Sequence, residues 1–306
     1  MDISNQLPPD VSVLMTVYNS EKYIAKAITS ILSQTFNNFE LIIINDGSTD
    51  RSLSILQNFT QQDQRIRLFN QENTGPAIAS NKGLIHVKGK FVARMDADDI
   101  AFPTRLAKQV AFLEQNPEYV AVGSRVLLID PDGWSIGPFA QKTDHEDIDA
   151  EHLAGSGGAI CHPAVMIRTE TLDKIGGYTE QMKSSIDRDL FLRLAEVGKL
   201  ANLPETLLKY RMHLKSMGNA NRVLQRQMAA MAVKAACQRR GMPLPINMPN
   251  DNNHQASPSE IHRKWAWWAL KAGNIATARK QATLALTKNP SDFQSWKTLA
   301  CTIRGW

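Results

Sequence analysis

Residues 41–46 read Leu-Ile-Ile-Ile-Asn-Asp, and this stretch constrains the fold more than any other. An unbroken, β-branched apolar run has no polar face to offer water, so it predicts a strand covered on both sides. Runs of similar character recur at 11–18, 65–70, 90–96 and 119–129, the last long enough for one strand or a pair. Helical spacing fills the gaps. Tyr23, Ile24, Ala27, Ile28, Ile31 and Leu32 share one face, with Asn19 or Ser20 as the expected N-cap. Leu53, Leu56 and Phe59 share another, a third helix opens at Gly75-Pro76, and a fourth starts from Pro103 with Leu106, Val110 and Leu113 aligned. This alternation predicts an α/β fold with a mostly parallel sheet flanked by helices. Such sheets bind ligands beyond the carboxyl ends of their strands. Thr16, Tyr18 and Asn19, then Asp46, then Asp96 and Asp98 all fall at those ends.

The most charged of these ends is "RMDADD", residues 94–99. Carboxylates crowded in this way raise one another's pKa unless a cation relieves them. Alternate residues of an extended strand end face the same way, so Asp96 and Asp98 address one site. Two oxygen donors with positions left for phosphate oxygens suit Mg²⁺ or Mn²⁺. Asp99 is expected to brace or cap the turn into Pro103.

Composition narrows the class. The chain has 306 residues, 43% hydrophobic and 21% charged, as expected of a globular body with an appendage. No apolar run reaches the roughly 18–20 residues that cross a bilayer. The polar start "MDISNQLPPD" does not read as a signal peptide. Cys161, Cys237 and Cys301 are scattered without C-x-x-C spacing, which suits a reducing cytoplasm and neither a zinc site nor a disulfide framework. The net charge of +5 is divided: residues 215–306 hold 14 Lys/Arg against 3 Asp/Glu, and residues 1–214 hold 21 against 27. A basic tail can be a solvated helical surface or can meet an anionic partner. An anionic membrane or a partner protein is the expectation for 216–306, and nucleic acid is not.

Residues 131–184 are irregular and rich in Gly, Asp and His, with a strand expected in "HPAVMIR". Residues 185–198 read as an amphipathic helix with Leu190, Leu194 and Val197 on one face and Asp187 and Asp189 in its first turn. Residues 241–259 contain four prolines and read as a linker. After it, Ala269, Gly273-Asn274, Ala278, Ala285 and Pro290 follow the cadence of one tetratricopeptide-like helix pair. A single copy cannot make a solenoid, so it is expected to pack on the body or on a partner.

Five stretches resemble the family 2 glycosyltransferases and appear in that family's order: "VSVLMTVYNSEKYIAKAITSILSQTFNNFELIIINDGSTDRS", "NTGPAIASNKGL", "GKFVARMDADDIAFPTRLAKQ", "HPAVMIR" and "DRDLFLRL". The resemblance implies a GT-A fold over 1–215, with 216–306 as a C-terminal α-helical extension. It implies an inverting, metal-dependent transfer of a sugar from a nucleotide diphosphate, UDP foremost, to a glycan or lipid-linked acceptor in surface polysaccharide assembly. The expected location is the cytoplasm, peripheral at the inner membrane face.

By position, the resemblance assigns Thr16, Tyr18 and Glu21 to the nucleotide pocket, with Tyr18 stacking on the base. Asp46 would read the base edge, while Asp50 would cap the following helix. Asn81 and Lys82 would approach ribose and phosphates, and Asp96 and Asp98 would hold ribose and the metal diphosphate. Arg211 would reach the departing diphosphate, His213 would join Asp98 as a metal ligand, and His162 would lie on the acceptor side. The catalytic base falls on Asp187, with Asp189 its nearest competitor; Ile186 stands where the family usually carries Glu. Asn45 stands where a first Asp is frequent, and Met15-Thr16 where a Pro is often near. A degenerate domain acting as a scaffold through its basic tail is the alternative, and the retained Asp46, Asp96, Asp98 and Asp187 weigh against it. A nicotinamide-dependent Rossmann enzyme fails, because no G-x-G-x-x-G follows the first strand.

Overall fold

The computed structural model describes residues 8–155, 158–214, 222–245 and 256–305. The first four strands form where the apolar runs predict: β1 (Val11–Val17), β2 (Phe39–Asp46), β3 (Ile66–Gln71) and β4 (Phe91–Asp96). They lie parallel in the order β3-β2-β1-β4. Every residue of β2 is buried, the apolar run 41–44 together with Glu40, Asn45 and Asp46. The helices between them are α1 (Ile24–Leu32), α2 (Ser52–Gln62) and α3 (Pro76–Leu84). Side chains alternate between two layers: Phe91, Ala93 and Met95 enter a core with α1, whereas Val92 joins Leu14, Ile42 and Ile44 on the α3 side.

Beyond β4 the sheet continues with a short β5 (Ile100–Ala101), then α4 (Arg105–Gln115), and β6 (Tyr119–Ile129) as one long strand. β7 (Ser135–Phe139) hairpins back on β6. α5 (His145–Leu153), a 3-10 turn at His162–Ala164, β8 (Met166–Arg168), α6 (Thr169–Ile175), α7 (Ile186–Ala195) and β9 (Lys199–Arg211) complete this part. β8 runs antiparallel between β4 and β6, and β9 lies parallel to β6. β6 and β9 therefore run in the same direction as β1–β4, and the sheet is mostly parallel, with β5, β7 and β8 reversed.

The expected cap of α1 is replaced by a different arrangement. α1 begins at Ile24, after a turn in which the Ser20 carbonyl accepts the N–H groups of Tyr23 and Ile24. Asn19 adopts φ 49° and its side chain accepts the Thr49 N–H at 2.8 Å, while the Ser20 N–H donates to Ser52 at 2.8 Å. Both residues tie the loop after β1 to the loop after β2. Asp50 does sit at the start of α2, accepting the Ser52 N–H at 2.9 Å. α4 begins two residues past Pro103, with Thr104 at its N-cap. Val197 lies beyond the end of α7.

The C-terminal helices are α8 (Arg222–Arg240), α9 (Pro258–Lys271), α10 (Ile275–Lys288) and α11 (Phe293–Arg304). Three helices follow the Pro-rich stretch rather than one pair. Ser257 and Glu260 form a reciprocal capping box with Pro258 at the first helical position, so 257–259 belong to α9 and not to a linker. Residues 246–255 of the expected linker, with His254, lie outside the described residues, as do 215–221. Among the described residues no helix is long and apolar enough to cross a membrane.

These helices share the core of the sheet. Trp265, Ala269 and Ala278 pack in the same cluster as Met15, Met95 and Ile136. A Cβ on Gly137 would stand 3.1 Å from the Ala272 Cβ, so the hairpin of β7 meets α9 closely. Asp130, fully buried at the end of β6, anchors the contact. One carboxylate oxygen accepts the N–H groups of Asp132 and Trp134; the other accepts Lys280 Nζ at 2.6 Å and Gln281 Nε2 at 2.9 Å.

α5 packs on α7 and α8 and buries His152 against Phe191, ring centroids 5.1 Å apart. Neither His152 nitrogen has a hydrogen-bond partner. Burial, aided by nearby Arg188, depresses its pKa to about 4. A neutral buried imidazole gives no stability penalty above pH 6.5, the ordinary histidine value. Between pH 6.5 and about 4 the unfolded chain binds a proton that the native chain refuses, costing roughly 3 kcal/mol by the lower end. In urea melts the stability difference should therefore move in favour of His152→Leu as pH falls through this window; a difference independent of pH would contradict it.

Candidate active site

The order β3-β2-β1-β4 places a crevice at the carboxyl ends of β1 and β4, which are paired Thr16 to Asp96. Tyr18, 52% exposed, stands at its mouth with an open ring. Glu21, on the same loop, accepts the N–H and Nε of Arg51 at 3.0 and 3.1 Å. Asp46 is buried and fully engaged. Its oxygens accept Gln71 Nε2 at 2.6 Å, the Thr74 N–H at 2.9 Å and the Gly75 N–H at 3.0 Å. Gly47 follows at φ 71°, where a Cβ would meet the Asn73 nitrogen at 2.6 Å. Asp46 thus holds the 72–75 loop at the amino end of α3.

On α3, Asn81 pins the loop before α7. Its amide donates to the Tyr178 carbonyl at 2.9 Å and accepts the Tyr178 N–H at 2.8 Å. Lys82, its neighbour, is half-buried.

The turn 96–99 is clamped by β9. The Arg211 N–H donates to Asp99 at 2.8 Å, and Arg211 Nε donates to the Asp98 carbonyl at 2.8 Å. Arg211 Nη1 donates to the carbonyls of Asp130 and Pro131, both at 3.1 Å. The guanidinium is buried over the Tyr23 ring, 4.6 Å from its centroid. Arg211 therefore carries the turn and links it to the Asp130 anchor, instead of projecting toward a ligand. Asp99 braces this turn and does not cap α4, whose N-cap position is Thr104. Burial, with Asp98 and Asp96 beside it, holds the Asp99 carboxyl well above the usual range.

Asp98 and His213 are joined, Oδ2 to Nε2, at 3.0 Å, and each keeps about a quarter of its side chain open, 25% and 26%. No group of three or more His, Cys, Asp or Glu suited to a metal occurs among the described residues. This pair offers two donors and no more, which suits a divalent cation completed by phosphate oxygens and water rather than one caged by protein.

Asp96 keeps 37% of its side chain open to the crevice, although protein surrounds it otherwise. Burial first, then the charges of Asp98 and Asp187, lift its pKa to about 6 against the pull of Arg94. Arg94 lies on the same face of β4, 2% exposed, with Nη2 at 3.6 Å from Asp96. Its Nε and Nη1 have no hydrogen-bond partner, and its guanidinium lies 5.8 Å from the centroid of the Tyr178 ring. Sequence reasoning missed this cation. The one available signal was an arginine in an otherwise apolar strand two residues before Asp96.

α7 presents the two candidate bases differently. Asp189 is buried and accepts Thr179 Oγ1 at 2.6 Å and Arg193 Nε at 2.9 Å. Asp187 is half-buried, has no hydrogen-bond partner among the described residues, and lies close enough to raise the pKa values of Asp96 and Tyr178. His162 Nε2 meets the Tyr178 hydroxyl at 2.8 Å. Its residue surface is partly open, yet burial of the ring, with Arg94 nearby, holds its pKa well below the usual value. Burial pushes the Tyr178 phenol up to about 12. The imidazole is thus neutral and the phenol keeps its proton at neutral pH.

Asp187, Asp96, Arg94, Tyr178 and His162 are brought together by the fold, with Asp98 and His213 beside them. Comparisons with known proteins bear on the family and the fold. The model of the family described as "Glycosyl transferase family 2" matches residues 12–175. EpsE of Bacillus subtilis (strain 168) is 38% identical over 208 residues, 66% of this chain and 73% of EpsE. The O-antigen biosynthesis glycosyltransferase WbnJ of Escherichia coli is 35% identical over 210 residues, 67% of this chain and 81% of WbnJ. Among solved structures, the mannosyltransferase PcManGT of Pyrobaculum calidifontis, in complex with GDP-Man and Mn²⁺, superposes with a TM-score of 0.60 at 20% identity, covering 98% of this chain and 86% of its own. S. aureus TarS 1-349, in complex with UDP-GlcNAc, gives 0.58 at 17% identity, covering 97% and 92%.

Proposed function

We propose that this chain, which belongs to glycosyltransferase family 2 and has the GT-A fold, transfers a sugar with inversion from a nucleoside diphosphate to a hydroxyl of a glycan or lipid-linked acceptor. The observation that carries the reading is the contrast on α7: Asp189 is engaged on both sides, while Asp187 has no hydrogen bond among the described residues and lies close enough to Asp96 to raise its pKa. An inverting transfer needs one carboxylate to take the acceptor hydroxyl's proton. That oxygen bonds to the anomeric carbon as the bond from that carbon to the diphosphate oxygen breaks, and the diphosphate leaves with the electron pair.

Asp98 and His213 would hold a divalent metal, Mn²⁺ or Mg²⁺, with the diphosphate; when bound, it supplies charge to the leaving group. Tyr18 offers its open ring to the base, with Thr16 at the floor of the crevice, and Asp46 acts on the base through the 72–75 loop it holds in place. Asn81 and Lys82, on the helix that this loop leads into, would approach the ribose and phosphates, and Glu21 steadies the opposite loop through Arg51. Arg94 supplies a fixed positive charge beside Asp96. His162 and the Tyr178 hydroxyl form a neutral polar pair on the acceptor side. The family pattern assigns the transferase body to 1–215 and the helical extension to 216–306, although the two share core residues such as Trp265.

Donor identity is the finer part. The fold is shared with TarS holding UDP-GlcNAc and with PcManGT holding GDP-Man and Mn²⁺, and UDP is our first choice. WbnJ is named for O-antigen biosynthesis, which supports a surface glycan acceptor. Nucleotide release from UDP-, GDP- and dTDP-sugars should occur with one base, stop with EDTA, and yield a product of inverted anomeric configuration by NMR. Release with none of them, or a retained configuration, would remove this reading.

A further inference from the structure

α11 is inside out. Its buried positions are Ser295, Thr298 and Thr302, while Phe293, Trp296 and Ile303 are 73%, 53% and 61% exposed. The helical period sets Phe293, Trp296, Ala300 and Ile303 along one outward face, with Lys297 and Arg304 along its edge. The buried polar side is internally satisfied: Ser295 Oγ donates to Asp292 at 2.7 Å and meets Ser259 at 3.1 Å, and Thr298 and Thr302 bond carbonyls of their own helix. Trp296 Nε1 also has its partner, the Pro290 carbonyl at 2.9 Å, so only the ring's apolar surface is on offer.

We propose that this face docks on an anionic lipid surface. Charge decides the occupant. Residues 256–305 hold eight Lys/Arg and two Asp/Glu. Both acids are already engaged, Glu260 in the capping box of α9 and Asp292 in capping α11 and pairing with Arg263. Lys288, Lys297 and Arg304 are exposed around the apolar stripe. A second copy would bring like charge against like charge, whereas an anionic bilayer meets it with the opposite sign. Aromatic and aliphatic side chains along one helix face, edged by basic ones, suit the headgroup and acyl boundary. A lipid-linked acceptor would give such docking its use, and that use alone rests on the transferase reading.

Sedimentation of the full chain with vesicles tests this without any activity. Binding to phosphatidylcholine vesicles containing phosphatidylglycerol at low salt should exceed binding to phosphatidylcholine alone, and should fall at high salt. Phe293→Ala with Trp296→Ala should weaken it at least about tenfold, and Lys297→Glu with Arg304→Glu by a similar factor. All four residues are exposed, so both double variants should remain folded, which melting curves check. Absence of binding to anionic vesicles, or binding untouched by both double variants, would overturn the proposal. So would a concentration-dependent dimer that the apolar double variant abolishes. Sugar transfer without vesicle binding would overturn this inference alone, and vesicle binding without sugar transfer would overturn only the transferase reading.

Discussion

Asp187→Asn should lower turnover by about 10²–10⁴-fold, the range a positioned general base supplies, while nucleotide binding with Mn²⁺ stays as in wild type. The reason lies in what surrounds each carboxylate. Asp189 stabilises the loop before α7 through Thr179 and α7 itself through Arg193, so replacing it damages packing. Asp187 holds no hydrogen bond among the described residues, and amide substitution there removes proton-accepting capacity with little structural effect. Initial rates at saturating donor and acceptor, alongside calorimetric titration of nucleotide, separate the two effects. Unchanged turnover would remove Asp187 from this role; lost turnover with lost nucleotide binding would make it a binding residue.

Asp130→Ala should destabilise the chain by about 3 kcal/mol or more, because it takes the buried acceptor from Gln281 and two backbone N–H groups and leaves Lys280 with Asp132 alone. Asp130 is 0% exposed and serves Lys280, Gln281 and two backbone N–H groups. Lys280 keeps 24% of its side chain in solvent, which places the expected cost toward the lower end for that partner. Lys280→Met should cost less than Asp130→Ala, since Asp130 would keep three of its hydrogen bonds. The effect should also reach the crevice, since the Asp130 carbonyl helps seat Arg211, which clamps the 96–99 turn. Denaturant melts of both variants, with nucleotide affinity measured on the folded fraction, check the order and the coupling. Equal stability of Asp130→Ala and wild type would show that the C-terminal helices are not anchored there.

Local pattern accounts for most of what sequence reasoning reached. β2 is legible because residues 41–44 form an apolar run with no polar face, as a strand covered on both sides requires, and all eight of its residues are buried. β1, β4 and α3 follow by the same logic, and they set Thr16, Asp46 and Asp96 at one edge. Partners distant in sequence were out of reach. Asp99 is clamped by Arg211, 112 residues away, and Asp130 by Lys280, 150 residues away; no periodicity links either pair. Arg94 hides in an apolar strand, where its charge reads as an interruption. The start of α9 was legible in principle, because Ser257-Pro-Ser-Glu260 is a capping-box pattern, but the surrounding prolines masked it. α11 reverses the usual rule, burying hydroxyls and exposing aromatics, so its orientation is not readable from composition.

The central claim is that the crevice at the ends of β1, β2 and β4 binds a nucleoside diphosphate together with a metal. Thermal unfolding with UDP, GDP and dTDP, each with Mn²⁺ and with EDTA, tests it most directly. One nucleotide should raise the melting temperature with Mn²⁺ and not with EDTA, and Asp98→Asn should abolish that rise. No shift with any nucleotide, or the same shift in EDTA and in Asp98→Asn, would contradict it.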